Sequence, residues 1–366
     1  MSNYKKINVA LLCGGKSGEH EVSILSARNV YDSLDKTKYD VTIVGIDKMG
    51  RWLPVSENSL IDQSGGVNEI TSDRNDTSVS IIPSSADLQF SDTGNERVPF
   101  DVVIPILHGP YGEDGSVQGL LKLASIPYVG AGVLGSAVGM DKDVMKRLLR
   151  DAGLPIGKFL VLYRHEKPLS FAQIKKELGL PVFIKPANLG SSVGVSRADT
   201  KKEYESATAE AFKYDNKIII EEYINGREIE CAILGNEEPI ASIPGEIATN
   251  KSHHAFYSYE AKYLDEHGAD LIIPAPLTKK QTRAVQDLAV KVFTALCGEG
   301  MARVDFFLME DGEFVVNEIN TIPGFTSISM YPKLWEASGV SNKKLIDTLI
   351  QLAIKRFQAE QKLVTK

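Results

Sequence analysis

The chain has 366 residues, 43% apolar and 24% charged, with a formal net charge of -7 at pH 7. That length exceeds what one hydrophobic core usually serves, and the composition is that of an ordinary soluble globular protein of two or three domains. The acidic balance argues against a nucleic-acid binder, and three cysteines without a CxxC pair (Cys13, Cys231, Cys297) argue against a disulfide framework or zinc cage. Each cysteine is read as a small buried apolar residue.

Residues 7–13 predict a strand, followed by a turn at Gly14-Gly15 and a helix over about 22–34. The leading apolar run is short and lacks a cleavage site, so it reads as strand rather than signal peptide. No run approaches the ~20 apolar residues that cross a bilayer, so no membrane is expected and a cytoplasmic location is. Strands at 41–46 (VTIVGI) and 101–107 (DVVIPIL) follow. This strand–helix alternation implies an α/β fold with a parallel sheet and ligands at its carboxyl ends. The intervening stretch 56–99, rich in Ser, Asp, Asn and Gly, reads as a surface excursion with little chemistry. A basic helix covers 141–152 and stops at Gly153. Strands at 181–185 and 217–223 bracket a helical stretch near 200–213. The last block holds strands at 228–234, 301–309 and 313–319, a helix near 278–297 and a terminal helix near 343–360. No internal repeat is visible. Three α/β pieces are expected: 1–130, 131–225 and 226–366.

Residues 301–320 (MARVDFFLMEDGEFVVNEIN) are two strand-like runs joined by Asp311-Gly312, a preferred two-residue hairpin turn. That turn places Asp305 opposite Glu318 and Arg303 opposite Asn320. Opposed residues, and residues two apart on one strand, share a face of the sheet. Three oxygen ligands without thiol or imidazole suit a hard cation, magnesium before calcium, and magnesium usually takes one or two carboxylates plus substrate phosphates. Arg303 nearby would be wasted on a purely structural cation but suits phosphate charge. A solvated cross-strand ion cluster is the plainer alternative at this point.

Lys185 ends a strand and precedes a loop containing Gly190, Ser191, Ser192 and Gly194. Glycines let backbone N–H groups approach an anion, and the lysine adds a point charge, so a phosphate role competes with a plain flexible loop. Gly15-Lys16-Ser17 is not a P-loop, because Ala10 stands where GxxxxGK[ST] needs glycine, and Gly14, Gly15 and Gly18 do not fit GxGxxG. Glu19 and Glu21 near a helix start are explained by dipole effects alone. His108 at a strand end is more often structural than catalytic. The aromatic-rich segment 253–264 reads either as packing or as a lid that excludes water.

Seven motifs in order carry a resemblance: GGKSGEHEVS (14–23), LHGPYGEDGSVQG (107–119), MDK (140–142), VFIKPANLGSSVGVS (182–196), YEAKY (259–263), RVDFF (303–307) and NEINTIPGFTSISMYP (317–332). Together they span nearly the whole chain, which resembles the D-alanine–D-alanine ligase family. The resemblance implies the ATP-grasp fold, with a Rossmann-like N-terminal domain and ATP between the central and C-terminal domains. It implies ATP as a substrate, two magnesium ions with manganese as an alternative, D-alanine as the other substrate, and a homodimer. It assigns Lys142, Lys185 and Lys262 to the ATP phosphates. Glu221, with the Tyr223 and Ile224 backbone, is assigned to adenine, Glu228 to ribose, and Phe183, Phe256 and Phe307 to the adenine slot. Asp305, Glu318 and Asn320 match the metal ligands. Glu19, with His108 nearby, would meet the first D-alanine's ammonium, and Ser191 and Tyr263 would complete a hydrogen-bonded triad with Glu19 that locks the lid. Arg303 and the Gly324 backbone N–H would stabilise the oxyanion, and Ser329 with the Met330 backbone would take the second substrate's carboxylate. Retention of Tyr263 favours the dipeptide over the D-alanyl-D-lactate or D-alanyl-D-serine products of sibling enzymes. More distant readings are another ATP-grasp enzyme and a nucleotide-binding regulator without turnover.

Overall fold

The computed structural model describes residues 5–60, 66–70, 78–81, 87–90, 97–249 and 269–364. Strand β1 (Ile7–Gly14) is apolar and buried from Val9 onward, as a strand covered on both faces must be. It lies parallel to β2 (Tyr39–Ile46) on one side, and β3 (Trp52–Val55) continues the sheet antiparallel beyond β2. Val9, Leu11 and Cys13 face helix α1 (His20–Ser33), whereas Ala10 and Leu12 join a second core on the opposite face. The period of two thus divides one strand between two cores.

The stretch read as a surface excursion is more than that. It contains a small antiparallel sheet, β4 (Val79–Ile81), β5 (Asp87–Phe90) and β6 (Arg97–Pro99). Its Leu60 and Ile70 are buried in the first core. Ile70 lies so close to the first sheet that a Cβ at Gly14 or Gly45 would meet it at 2.5 or 2.8 Å. Serine and asparagine around these residues masked two apolar anchors. Strand β7 (Val102–Pro105) then completes the sheet order β3-β2-β1-β7, parallel to β1.

Helices α2 (Ser116–Leu123), α3 (Val133–Met140) and α4 (Lys142–Asp151) follow. A second sheet, order β10-β9-β11-β8, contains β8 (Phe159–Tyr163), β9 (Val182–Pro186), β10 (Ser196–Ala198) and β11 (Lys217–Glu222). Helices α5 (Phe171–Leu178) and α6 (Lys201–Ala211) cover one face through Ile174, Tyr204 and Ala207, against Val182, Ile184, Ile218 and Ile220. The alternation leaves Phe183, Lys185 and Glu221 on the other face, with Phe183 opposite Glu221.

The third sheet runs β15-β14-β12-β16-β17, from β12 (Gly226–Gly235), β14 (Gly245–Thr249), β15 (Ala269–Ile272), β16 (Gly300–Met309) and β17 (Phe314–Asn320), with β13 (Ile240–Ala241) paired to β12. Helix α7 (Lys279–Ala295) covers the face carrying Ile229, Cys231, Val304 and Phe306. Glu228, Glu230, Arg303, Asp305 and Phe307 are left on the open face. Helices α8 (Met330–Ala337) and α9 (Asn342–Glu360) pack into the same core as β1 and α1, through Tyr331, Trp335, Leu345 and Ile350.

Two expectations are corrected here. The β16–β17 hairpin does not turn on two residues. Leu308 pairs with Phe314, and Met309 N–H bonds Glu313 O, so the loop is the three residues 310–312, with Gly312 at φ +88°. That register alone would set Asp305 opposite Asn317. A bulge at Asn317 restores the expected pairs, Asp305 with Glu318 and Arg303 with Asn320. The second correction is Cys297, which is exposed rather than buried. It follows the end of α7 with φ +54°, where the chain reverses and carries the side chain outward. Cys13 and Cys231 are buried. Among the described residues no helix is long and apolar enough to cross a membrane.

Candidate active site

The open faces of the second and third sheets confront one another across a cavity of about 580 Å³, a size typical of small-molecule sites. Lys142, Phe183, Lys185, Glu221, Tyr223, Ile224, Glu228 and Phe307 all line it, as does the metal candidate Glu318. Phe256, Lys262 and Tyr263 lie outside the described residues. Lys142 is placed by the start of α4. Asp141 caps that helix by accepting from Asp143 N–H and Val144 N–H, and its carboxylate is held by Lys217 at 2.6 Å. Lys142 N–H bonds Ala187 O, and its Nζ donates to Leu189 O at 2.6 Å, so it is tied to the glycine-rich loop at both ends.

One helical turn later, Lys146 points into the same cavity. Its Nζ lies 2.7 Å from Glu221 Oε1, and Lys185 Nζ lies 2.6 Å from Glu221 Oε2. Burial alone would raise the Glu221 carboxyl, but the two lysine charges and their hydrogen bonds outweigh it and hold the group far below the usual carboxylate range. Sequence reasoning missed Lys146. Its signal was the i, i+4 spacing from Lys142 on a helix facing the site.

A second cavity, of about 90 Å³, adjoins the first, sharing Gly190, Ser191 and Glu318 in its wall. It brings together Glu19, His108, Arg303, Gly324, Ser329 and Met330, drawn from four distant segments of the chain. Ser191 Oγ donates to Glu19 Oε1, joining the first sheet's helix to the glycine-rich loop. Ser191 and Ser192 both take positive φ (+50° and +59°), the uncommon left-handed conformation that marks functional loops. Gly109 takes φ +78°, which favours glycine, and a Cβ there would lie 2.8 Å from the Glu19 carboxylate, while one at Gly190 would press on it at 3.1 Å.

His108 is buried with both ring nitrogens engaged. A carbonyl cannot donate, so the Nδ1 contact to Ile322 O at 3.1 Å puts the proton on Nδ1. Nε2 then accepts from Ser26 Oγ at 3.1 Å, and Ser26 Oγ accepts Phe325 N–H at 3.1 Å. Burial first, and the Arg303 charge, push the imidazole down to about 4 against the pull of Ile322 O. His108 is therefore a neutral brace for the loop carrying Gly324.

Two carboxylates missed by sequence reasoning line this cavity. Glu113 accepts from Gly109 N–H at 2.7 Å and Ile322 N–H at 3.3 Å. Burial, then the Glu19 charge, push its carboxyl up to about 8 despite those donors. A carboxyl raised in this way is protonated in the folded protein where the unfolded chain, near 4.5, is ionised, so its stabilising effect is lost as pH rises through 8. Glu113→Gln is thus expected to gain thermal stability on the wild type between pH 5 and 9, and melting curves across that range check it. Nothing in the sequence around Glu113 singled it out within its loop. Glu230 could have been found, since it stands two residues after Glu228 and shares its face.

The metal candidates converge as expected. Asn320 Nδ2 donates to Asp305 Oδ2 at 3.0 Å, and Arg303 forms a bidentate pair with Asp305, at 2.7 Å to each oxygen. Glu318 stands 3.9 Å from Lys142. Two carboxylates and an amide oxygen are hard donors, and Glu230 adds a third carboxylate to this buried face. The set fits magnesium shared with phosphate rather than a closed protein cage. Among the described residues no group of three or more His, Cys, Asp or Glu forms such a cage.

The D-ala D-ala ligase N-terminus family model matches residues 8–131, and the D-ala D-ala ligase C-terminus model matches residues 148–351. A D-alanine–D-alanine ligase of Shouchella clausii is 51% identical over 361 residues, covering 98% of this chain and 97% of its own. The solved D-alanine–D-alanine ligase of Coxiella burnetii superposes with a TM-score of 0.81 at 38% identity, covering 98% of each chain. The VanG D-Ala:D-Ser ligase of Enterococcus faecalis superposes at 0.83 with 33% identity, covering 95% of this chain and 100% of that one. Arising from two matched halves and full-length relatives, the conclusion is that this chain belongs to the D-alanine–D-alanine ligase family, with its ATP-grasp fold.

Proposed function

We propose that this protein joins two D-alanines at the expense of ATP, supplying D-alanyl-D-alanine for cell-wall precursors. The observation that carries it is the pairing of a lysine-lined cavity of nucleotide size with a small acidic one, sharing Ser191 and Glu318 in their common wall. In this reading Lys142 and Lys185 meet the phosphates, Glu228 the ribose, and Phe183 and Phe307 flank the base, with Glu221, Tyr223 and Ile224 at its edge. Lys262 and Phe256, outside the described residues, belong to the same proposal. Asp305, Glu318 and Asn320 would hold two magnesium ions, whose charge offsets that of the triphosphate during transfer. A homodimer, a cytoplasmic location and domain divisions near 130 and 225 are proposed with them.

The first D-alanine, its ammonium at Glu19, attacks the γ-phosphate through a carboxylate oxygen and becomes an acyl phosphate as ADP leaves. The second D-alanine lies with its carboxylate against Ser329 and the Met330 N–H at the start of α8, where a helix N-terminus favours an anion. Its neutral amine adds to the acyl carbon to form the C–N bond of a tetrahedral intermediate, which then collapses by breaking the C–O bond to phosphate, the departing phosphate taking the proton lost from nitrogen. Arg303 and Gly324 N–H face the oxyanion of the tetrahedral intermediate. Closure over the acyl phosphate, with Tyr263 joining Glu19 and Ser191, keeps water away.

Incubation with Mg-ATP and D-alanine is expected to yield the dipeptide by mass, with D-alanine-dependent phosphate release. Adding D-lactate or D-serine as competitor across pH tests the sibling products. Preferential D-lactate or D-serine incorporation near neutrality would replace the dipeptide reading.

A further inference from the structure

Arg303 has more carboxylate around it than it needs. Its Nε lies 2.7 Å from Asp305 Oδ1 and 3.0 Å from Glu230 Oε2, and its second nitrogen, Nη2, lies 2.7 Å from Asp305 Oδ2. The strand register explains this: Glu230 on β12 pairs directly with Asp305 on β16, and Arg303 is two residues from Asp305 on the same face. The Nε–H donates to Asp305 Oδ1, while Glu230 Oε2 stands in ion-pair contact 3.0 Å from the same nitrogen. Both carboxylates are almost completely buried, at 3% and 4% side-chain exposure, so a guanidinium between them is poorly hydrated and depends on them for charge balance.

The proposed function gives Asp305 a second claimant, because a cation would compete with Arg303 for the lone pairs of the same two oxygens, one of which already serves Asn320 as well. We propose that Glu230 is a positioning residue that takes over the Arg303 Nε–H when Asp305 turns to the cation, so that the arginine keeps its place at the oxyanion. This rests on the reading of Asp305 as a metal ligand. Among the described residues, loss of Glu230 leaves Asp305 as the carboxylate in bidentate contact with the guanidinium. The arginine then competes for that carboxylate with the cation, and metal affinity suffers through a residue that does not touch the metal.

The test is a double-mutant cycle on direct metal binding, since residues acting through one another give non-additive effects. Mn²⁺ binding to the full-length enzyme with ADP is followed by the loss of the free-ion electron paramagnetic resonance signal. Glu230→Gln, nearly isosteric, is expected to weaken Mn²⁺ binding about tenfold, equal to about 1.4 kcal/mol. Arg303→Met alone is expected to tighten it, because the competitor is gone. Adding Glu230→Gln to Arg303→Met is expected to change the affinity less than twofold. Equal weakening in both backgrounds would make Glu230 a metal ligand and overturn the proposal, as would no weakening in either. If Glu230→Gln does not fold, the sign of the Arg303→Met effect still decides, because unchanged or weaker binding contradicts the competition. Wild-type protein that binds no Mn²⁺ with ADP would remove the metal reading itself. Wild-type binding with unaltered variants would remove only the role of Glu230.

Discussion

An Arg303→Ala enzyme is expected to turn over about 100- to 1000-fold more slowly than the wild type, the usual cost of removing one preorganised donor to a developing oxyanion. The guanidinium is well placed for this role. Asp305 holds it by two bonds of 2.7 Å in this structure, and Glu230, 3.0 Å from its Nε on the neighbouring strand, is the carboxylate left to hold it in place once Asp305 turns to the cation. The variant also leaves two buried carboxylates facing each other, so some loss of stability is expected too. Steady-state kinetics separate these effects. A fall in kcat with intact folding by circular dichroism, and a larger residual rate for Arg303→Lys, identify the charge at this position as the source. Near-normal turnover of Arg303→Ala would remove the arginine from the chemistry.

The second large effect concerns stability. Glu221 lies between Lys146 and Lys185, at 2.7 and 2.6 Å, with the Lys146 side chain 4% exposed. Glu221→Gln preserves shape and an acceptor oxygen but removes the charge that compensates two buried ammonium groups. Breaking such a buried pair costs about 3–5 kcal/mol, and the partial exposure of Lys185 places the expectation near the lower end, about 3 kcal/mol. Urea unfolding of both proteins measures it. Inorganic triphosphate should restore much of the difference, because phosphate oxygens then supply the missing negative charge. A Glu221→Gln protein as stable as the wild type would mean that the lysines already find other partners or water.

The parts of this protein visible in its sequence are those set by short-range periodicity. The buried strand at 7–13, the helix 141–152 and the 301–320 hairpin were legible because alternation of two, a capped basic helix and an Asp-Gly turn are local signals. The hairpin also shows where local signals end. The turn has one residue more than expected and β17 carries one extra residue at Asn317, and the two offsets cancel so that Asp305 still faces Glu318. The agreement in register therefore rests on a bulge that no turn rule announces. Glu230 stayed hidden for a different reason. Its period-two relation to Glu228 was plain, but its pairing with Asp305 joins strands 75 residues apart in sequence. Glu113 and the His108–Ser26–Phe325 chain are held by loops, where each side chain is fixed by contacts from distant segments. The seven motifs located those segments without revealing which groups bond to which.

The shared core of the first strand and the last helices has a consequence for biosynthesis. Helix α1, which covers Val9 and Leu11, packs on its other side against α9 near the carboxyl end, where Leu345, Ile346, Leu349 and Ile350 belong to the same core. That early helix therefore lacks part of its apolar cover until almost the whole chain has been made. At about 5–20 residues per second, the roughly 330 intervening residues take on the order of 15 to 65 seconds to synthesise. During that interval the apolar surface of α1 that awaits α9 stays exposed to the cell's chaperones. A nascent chain arrested before α9 should therefore remain bound by a hydrophobic-binding chaperone, and release should follow the emergence of Leu345 to Ile350.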